Sequence, residues 1–229
     1  MYLAKNFERT LALIRESAIH AGRPSDSVRL IAVSKTVDSE VIRKAHALGQ
    51  LDFAENRPQV LRDKVRELSD LAVKWHFIGP LQTNKIKYVY PLADLVHSVD
   101  RCELIEAFID WQKKTGRKCP CLLQVHISGE ETKQGFACDE ILSIIAAYNN
   151  NPHLDIRGMM GMAAFDSDET VVRCSFRKLK QLFEMSKKLE GSSYKAVELS
   201  MGMSGDFVPA IEEGATIVRI GTALFSQEP

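Results

Sequence analysis

Eight short apolar segments alternate with helix-like segments along this chain, and that alternation constrains its fold more than any other feature. The strand candidates are 29–34, 51–54, 75–78, 95–99, 121–127, 156–162, 195–200 and 216–220. The helix candidates between and after them are 39–48, 57–68, 84–90, 101–114, 139–149, 168–190 and 206–213. One more helix comes first, over 3–20, where Leu3, Phe7, Leu11, Ile14 and Ala18 recur at spacings of three and four. Gly22 and Pro24 end it. A parallel strand pair needs a crossover, usually a helix. Strands buried on both faces read as continuous apolar runs, as 29–34, 121–127 and 216–220 do. The pattern predicts an α/β chain folded as a single (β/α)8 TIM barrel with an extra N-terminal helix. One domain would cover 1–229, with residues 1–22 packing on the barrel. A doubly wound open sheet is the alternative. It more often carries a Gly-rich turn after its first strand, and none stands here.

Local signals agree with these segments. Asp100 with Glu103 reads as an N-cap followed by an acidic third residue. Pro58 sits early in its helix behind Asn56, a residue suited to capping. Gly49, Gly191 and Gly214 stand just past helix ends. The segment 84–90 is short and contains Tyr88-Val89-Tyr90, which makes it the least helix-like.

The 229 residues suffice for a substantial core. Lysine plus arginine equals aspartate plus glutamate, 30 each, so no global charge argues for a nucleic-acid or membrane surface. No apolar run is long enough to span a bilayer, and the start lacks a basic segment followed by an apolar one. A cytoplasmic location is the expectation. Cys102, Cys119, Cys121, Cys138 and Cys174 match neither a disulfide framework nor a zinc pattern, so all five are read as reduced thiols.

In a barrel of this kind active sites lie at the carboxyl ends of the strands. The first strand runs into Lys35, after Leu30-Ile31-Ala32-Val33-Ser34. A lysine buried there would have a lowered pKa and a free amine, suited to a Schiff base with an aldehyde cofactor. The bland alternative is a solvated lysine in a loop. The seventh strand ends in Ser200-Met201-Gly202-Met203-Ser204-Gly205, a small-residue turn feeding a helix near Asp206. Backbone amides and hydroxyls in such a turn bind phosphate, and Gly221-Thr222 offers the same after the last strand. Otherwise Ser204 and Asp206 merely cap a helix. Arg219 lies inside Thr216-Ile217-Val218-Arg219-Ile220 and needs an acceptor. That acceptor is either a carboxylate, Glu198 or Glu55, or a cofactor's ring nitrogen. Arginine only donates, so a pyridine nitrogen facing it would stay unprotonated and the ring would be a weaker electron sink. An aldehyde-binding lysine, a phosphate cup and a ring-nitrogen donor together describe pyridoxal 5′-phosphate (PLP). His76 reads equally as a core histidine or a site residue. Lys133-Gln134-Gly135-Phe136 reads as a solvated turn or a loop over the barrel mouth. Met159, Met160, Met162, Met201 and Met203 read as packing or lining groups, and no metal constellation stands out.

The chain resembles the pyridoxal-phosphate homeostasis protein family, also called proline synthase co-transcribed homologues. The stretches that carry the resemblance are Ala32-Val33-Ser34-Lys35-Thr36, Glu55-Asn56, the run from His76 to Lys85, Leu199 to Ser204, and Val218-Arg219-Ile220-Gly221-Thr222. It extends from the first helix to about Phe225. The resemblance implies a fold-type III barrel related to the N-terminal domain of alanine racemase, with Lys35 holding PLP as an internal aldimine. It implies Ser200, Ser204, Gly221 and Thr222 around the phosphate, Arg219 facing the pyridine nitrogen, and Asn56 and His76 nearby, with Gly202 also counted among the cofactor-binding residues. Three positions depart from the family pattern. Ala54 replaces a glycine, Arg57-Pro58 replaces a pair ending in tyrosine, and Ser226 replaces a glycine.

Three functions follow from this reading. The first is a non-catalytic PLP carrier that buffers or delivers the cofactor, with PLP and apo PLP-dependent enzymes as partners and the monomer as its expected state. The second is a racemase-like enzyme, which needs proton donors on both faces of the α-carbon. Lys35 could serve one face, while a tyrosine and a second domain serve the other in alanine racemases. The third is a partner-binding module with a vestigial site, against which an intact Lys35 and phosphate cup argue.

Overall fold

In a computed structural model, which describes residues 2–128, 134–164, 166 and 168–227, the eight strands close into a barrel. They are β1 (Arg29–Val33), β2 (Asp52–Glu55), β3 (Lys74–Phe77), β4 (Leu95–Val99), β5 (Cys121–Val125), β6 (Ile156–Gly161), β7 (Tyr194–Ser200) and β8 (Ile217–Ile220). Each pairs in parallel with its sequence neighbour, and β8 closes onto β1 through Arg29 opposite Ile217 to Ala32 opposite Ile220. Every strand candidate is present, with ends shifted by at most two residues.

The helices form the outer ring. They are α1 (Tyr2–His20), α2 (Ser39–Ala47), α3 (Pro58–Glu67), α4 (Ile86–Val89), α5 (Cys102–Thr115), α6 (Ile141–Tyr148), α7 (Glu169–Ser186), α8 (Phe207–Glu212) and α9 (Thr222–Phe225). The segment 84–90 begins as a 3-10 turn over Thr83–Lys85 before α4, and α7 runs on into a 3-10 turn over Lys187–Leu189. The short α9 is an element the periodicity misses. Four residues give too little pattern for a moment to register.

Two expected caps are corrected. Arg101, not Asp100, is the N-cap of α5 and makes no side-chain cap bond, because the Asp100 carboxylate accepts from Arg101 Nη1 at 2.6 Å. Arg57, not Asn56, is the N-cap of α3. Pro58 at the first helical position moves the cap one residue on and leaves the Asn56 side chain out of the helix.

Strand alternation sorts side chains into two layers. One face packs against the helices in a large core that includes Phe53, Phe77, Val96, Leu123 and Val218. The other face fills the barrel interior, where Ile31, Val33, Ala54, Leu95, Leu122, Met160 and Ile217 cluster. Ala54, one of the departures noted above, simply packs there. The same interior holds buried His76, His97, Ser200 and Arg219. An interior this polar needs internal partners for its donors and acceptors.

Helix α1 packs on α8 and α9. Asn6 Nδ2 donates to the carbonyls of Leu224 at 3.1 Å and Ser226 at 3.0 Å. The start of the chain thereby braces the segment after β8. No helix among the described residues is long and apolar enough to cross a membrane.

Candidate cofactor site

A cavity of about 410 Å³ opens at the carboxyl ends of the strands. Lys35, Asn56, Ser204, Arg219, Gly221 and Thr222 line it together, six of the nine site residues expected from sequence. Its apolar wall comes from Val33, Ile78, Met160, Met162 and Met203. Three of the five methionines are therefore lining groups, while Met159 and Met201 pack in the outer core.

Strand β1 stops at Val33, so Ser34 is still buried but Lys35 is already exposed at the mouth. This corrects the expected burial of Lys35. The buried lysine here is Lys64, on α3 behind the strand ends. Its Nζ donates to the Ser34 carbonyl at 2.8 Å and to Glu55 Oε1 at 2.6 Å. Ser34 Oγ donates to the same carboxylate oxygen at 2.7 Å, and Glu55 Oε2 has no partner among the described residues. A buried ion pair thus holds the backbone on the amino side of Lys35. The sequence hides it, because Lys64 sits in a helix of mixed charge and is indistinguishable there from its solvated neighbours.

Opposite Lys35, the loops after β7 and β8 meet. Ser204 Oγ accepts from the backbone N–H of Gly221 at 3.2 Å and of Ala223 at 3.3 Å. Ser204, Gly205, Gly221 and Thr222 together make a cup of amides and hydroxyls. Asp206 Oδ1 accepts from the Met203 N–H at 2.5 Å and fixes the turn. Gly202 is not part of the lining. It takes φ +92° and its carbonyl accepts from the Arg219 N–H, and a Cβ there would lie 2.6 Å from the Ala210 Cβ. Its role is to let this turn press against α8.

Arg219 is 4% exposed, at the floor of the cavity. Neither carboxylate considered from the sequence reaches it: Glu198 pairs with Arg29 and Glu55 with Lys64. Arg219 Nη1 donates to Ser200 Oγ at 2.6 Å and Nη2 to the Gly161 carbonyl at 3.2 Å. Burial lowers its pKa to about 10, still far above neutrality, so it stays a cation. The Asp206 charge partly offsets this, but no carboxylate among the described residues forms an ion pair with Arg219, and a buried cation so placed suits an electron-rich acceptor above it.

Ser200 and His76 do not line the cavity but lie below it. Ser200, expected at the phosphate, is fully buried with its hydroxyl between Arg219 and His97 Nδ1, the latter at 2.9 Å. It is the last residue of β7, and the strand's alternation turns it into the barrel rather than out to the cup. His97 Nε2 lies 3.0 Å from His76 Nδ1, and His76 Nε2 lies 2.9 Å from Asp52 Oδ1. Burial, helped by the positive charges of Arg219 and Arg29, holds His97 well below its ordinary pKa. His97 and Asp52 were missed in the sequence, although a histidine in the middle of the apolar run Leu95–Val99 is as anomalous as His76.

Just past the ends of β2 and β3 the Asn56 and Gly79 backbones touch. A Cβ on Gly79 would fall 2.0 Å from the Asn56 carbonyl oxygen. That contact keeps the Asn56 side chain on the cavity wall. All five cysteines are free thiols, and burial raises the Cys119 thiol to about 12. The turn around Lys133 lies outside the described residues at that position. Phe136, which is described, returns to bridge Val125.

Residues 7–229 match the family model described as alanine racemase, N-terminal domain. The chain is 39% identical to the pyridoxal phosphate homeostasis protein of Pseudomonas aeruginosa, over 97% of this chain and 94% of that one. It is 38% identical to the protein of the same name from Aquifex aeolicus, over 99% of both. Among solved structures, PipY of Synechococcus elongatus PCC7942 with PLP bound superposes with a TM-score of 0.81 at 32% identity, covering 93% of this chain and 99% of that one. By its sequence, its barrel and these relatives, the chain belongs to the pyridoxal phosphate homeostasis protein family, built on the alanine racemase N-terminal domain fold.

Proposed function

We propose that this chain binds PLP in the cavity at the strand ends and acts as a reserve that holds and releases it, without robust turnover. The observation that carries this reading is that one cavity is lined at once by Lys35, Arg219, Ser204 and Thr222. Its volume lies in the range of small-molecule sites. A relative of the same fold is known with PLP bound. When bound, PLP supplies an electrophilic aldehyde and a ring able to delocalise charge. Lys35 supplies the amine for the aldehyde. Ser204, Gly221 and Thr222 hold the phosphate, and Arg219 donates to the ring nitrogen. Asn56, with no side-chain partner among the described residues, orients the ring face.

Two features favour holding over turnover. Arg219 cannot give the ring nitrogen a proton, which leaves the ring a weak electron sink. No tyrosine is among the residues that line the cavity, so the second proton donor of a racemase has no evident source. The Tyr90 hydroxyl donates to the Arg117 carbonyl, Tyr148 to Glu106, and Tyr194 bonds Ser186, all away from the cavity. Delivery to apo PLP-dependent enzymes, as a monomer in the cytoplasm, completes the proposal.

The test is titration of the full chain with PLP, followed by borohydride reduction and peptide mapping. The expected result is a new absorbance band that collapses on reduction, with the label on Lys35. The loaded chain is then mixed with an apo PLP-dependent enzyme, whose recovered activity reads transfer. Solvent deuterium exchange into the α-position of alanine at a rate competing with transfer would favour the racemase-like role instead.

A further inference from the structure

The polar column beneath the cavity has a single direction, which its donors and acceptors fix. Arg219 has no lone pair to offer, so Ser200 Oγ must be the acceptor between them. The only other partner of that buried hydroxyl among the described residues is His97 Nδ1, so the Ser200 proton points there. An imidazole that accepts at Nδ1 and is neutral carries its proton on Nε2. His97 Nε2 faces His76 Nδ1, which must therefore accept. His76 then carries its own proton on Nε2, aimed at the Asp52 carboxylate. Every bond is satisfied with both rings neutral, and every bond runs from the cation toward the anion. Reversing any link with the rings neutral would leave the Ser200 hydroxyl with two donors and no acceptor among the described residues.

We propose that Ser200, His97, His76 and Asp52 form a one-directional hydrogen-bond relay that aims Arg219 at the cofactor's ring nitrogen and couples that nitrogen's environment to a carboxylate at the far end of the barrel. These are positioning residues, since none of them lines the cavity. Asp52 lies beside Arg29, 3.9 Å away, and Arg29 also pairs with Glu198. The far end is thus a charge cluster that pins the carboxylate. Hydrogen bonds that run the same way polarise one another, so the Asp52 charge is relayed to Arg219 through the column. The role of the relay toward PLP rests on the function proposed above. Its direction does not.

The experiment has two arms. In the first, the full chain is labelled with nitrogen-15 histidine, and the ring nitrogens are read by long-range proton–nitrogen correlation without PLP. The expected result at about pH 8, above the ordinary histidine pKa, is His76 and His97 both protonated at Nε2 only. A proton on Nδ1 of either ring overturns the relay. In the second arm the PLP-loaded absorbance spectrum is compared among the wild-type chain, Ser200→Ala, Ser200→Thr and Asp52→Ala. The expected result is a displaced band maximum in Ser200→Ala and Asp52→Ala, a return toward wild type in Ser200→Thr, and retained borohydride labelling at Lys35 in all of them. An unchanged maximum in Ser200→Ala or Asp52→Ala overturns the relay while leaving the PLP site standing. A wild-type chain that takes up no PLP overturns the cofactor reading, and with it the relay's target.

Discussion

The Lys64 ammonium donates to the Ser34 carbonyl at 2.8 Å, so the residue that directly precedes Lys35 is held by a second lysine buried behind it. Lys35 itself is exposed. The two differ physically: one lysine is sequestered and paired to fix the backbone, and the other is left exposed at the cavity mouth.

Removing the buried partner should be costly. Lys64→Met leaves Glu55, fully buried, without its counter-ion. Breaking a buried pair in this way destabilises by about 3–5 kcal/mol. Urea unfolding of Lys64→Met should show that loss, and adding Glu55→Gln should recover part of it. A midpoint equal to wild type in the single variant would mean the pair contributes nothing.

Lys35→Ala should do the opposite, sparing the fold and removing the covalent hold. Its side chain is exposed, and such substitutions usually stay within about 0.5 kcal/mol. Thermal unfolding should therefore match wild type. Borohydride should fix no PLP, while equilibrium dialysis still detects a weaker complex held by the cup and Arg219. Persistent fixation would show that another lysine reaches the aldehyde.

Gly79→Ala tests the contact between the β2 and β3 ends. The added methyl would collide with the Asn56 carbonyl, backbone against side chain. Overpacking of this kind costs about 1–3 kcal/mol. The same displacement moves Asn56, so PLP affinity should fall together with stability. Loss of stability with unchanged affinity would detach Asn56 from the site.

Acid should act on the column in two stages. Burial keeps His97 neutral in the fold, while unfolded histidine gains a proton below about 6.5. The unfolded state then binds more protons, so stability falls as pH drops below that value, at no more than ~1.4 kcal/mol per pH unit for one proton. Asp52 adds a second stage. Burial pushes its carboxyl up, but the His76 hydrogen bond and the charges of Arg29 and Lys74 outweigh this and hold it below its ordinary value of 3.8. Its contribution is full above that value and is lost as pH falls through the lowered one. Denaturant midpoints measured from pH 7 to pH 3 should show both stages in wild type and a smaller second stage in Asp52→Asn, since Asp70 and Glu184 are also held low and remain.

What the sequence made legible was whatever depends on near neighbours along the chain. Strand and helix segments, Lys35 at a strand end, the Ser204 turn and Arg219 inside an apolar strand all announce themselves within a few residues. What it hid depends on barrel closure. His76 looked solitary because its partner, His97, stands 21 residues on and meets it only across β3 and β4. Ser200 was placed at the phosphate by its membership of a small-residue run, whereas strand alternation turns it inward to Arg219. Asn56 was read as a cap because a single-residue shift at Pro58 is below the resolution of pattern reading.

Asn6 and Leu224 lie at opposite ends of the chain, yet one hydrogen bond joins them behind the cup. A ribosome releases Lys35 long before Thr222, so on the function proposed above the amine is made well before the phosphate cup can close. A chain shortened to begin after Gly22 should keep all eight strands but hold PLP more weakly in equilibrium dialysis. If PLP is held as proposed, that hold waits on the loop after β8, and an aldehyde met before that loop is made finds only a lysine, with nothing yet to keep it there.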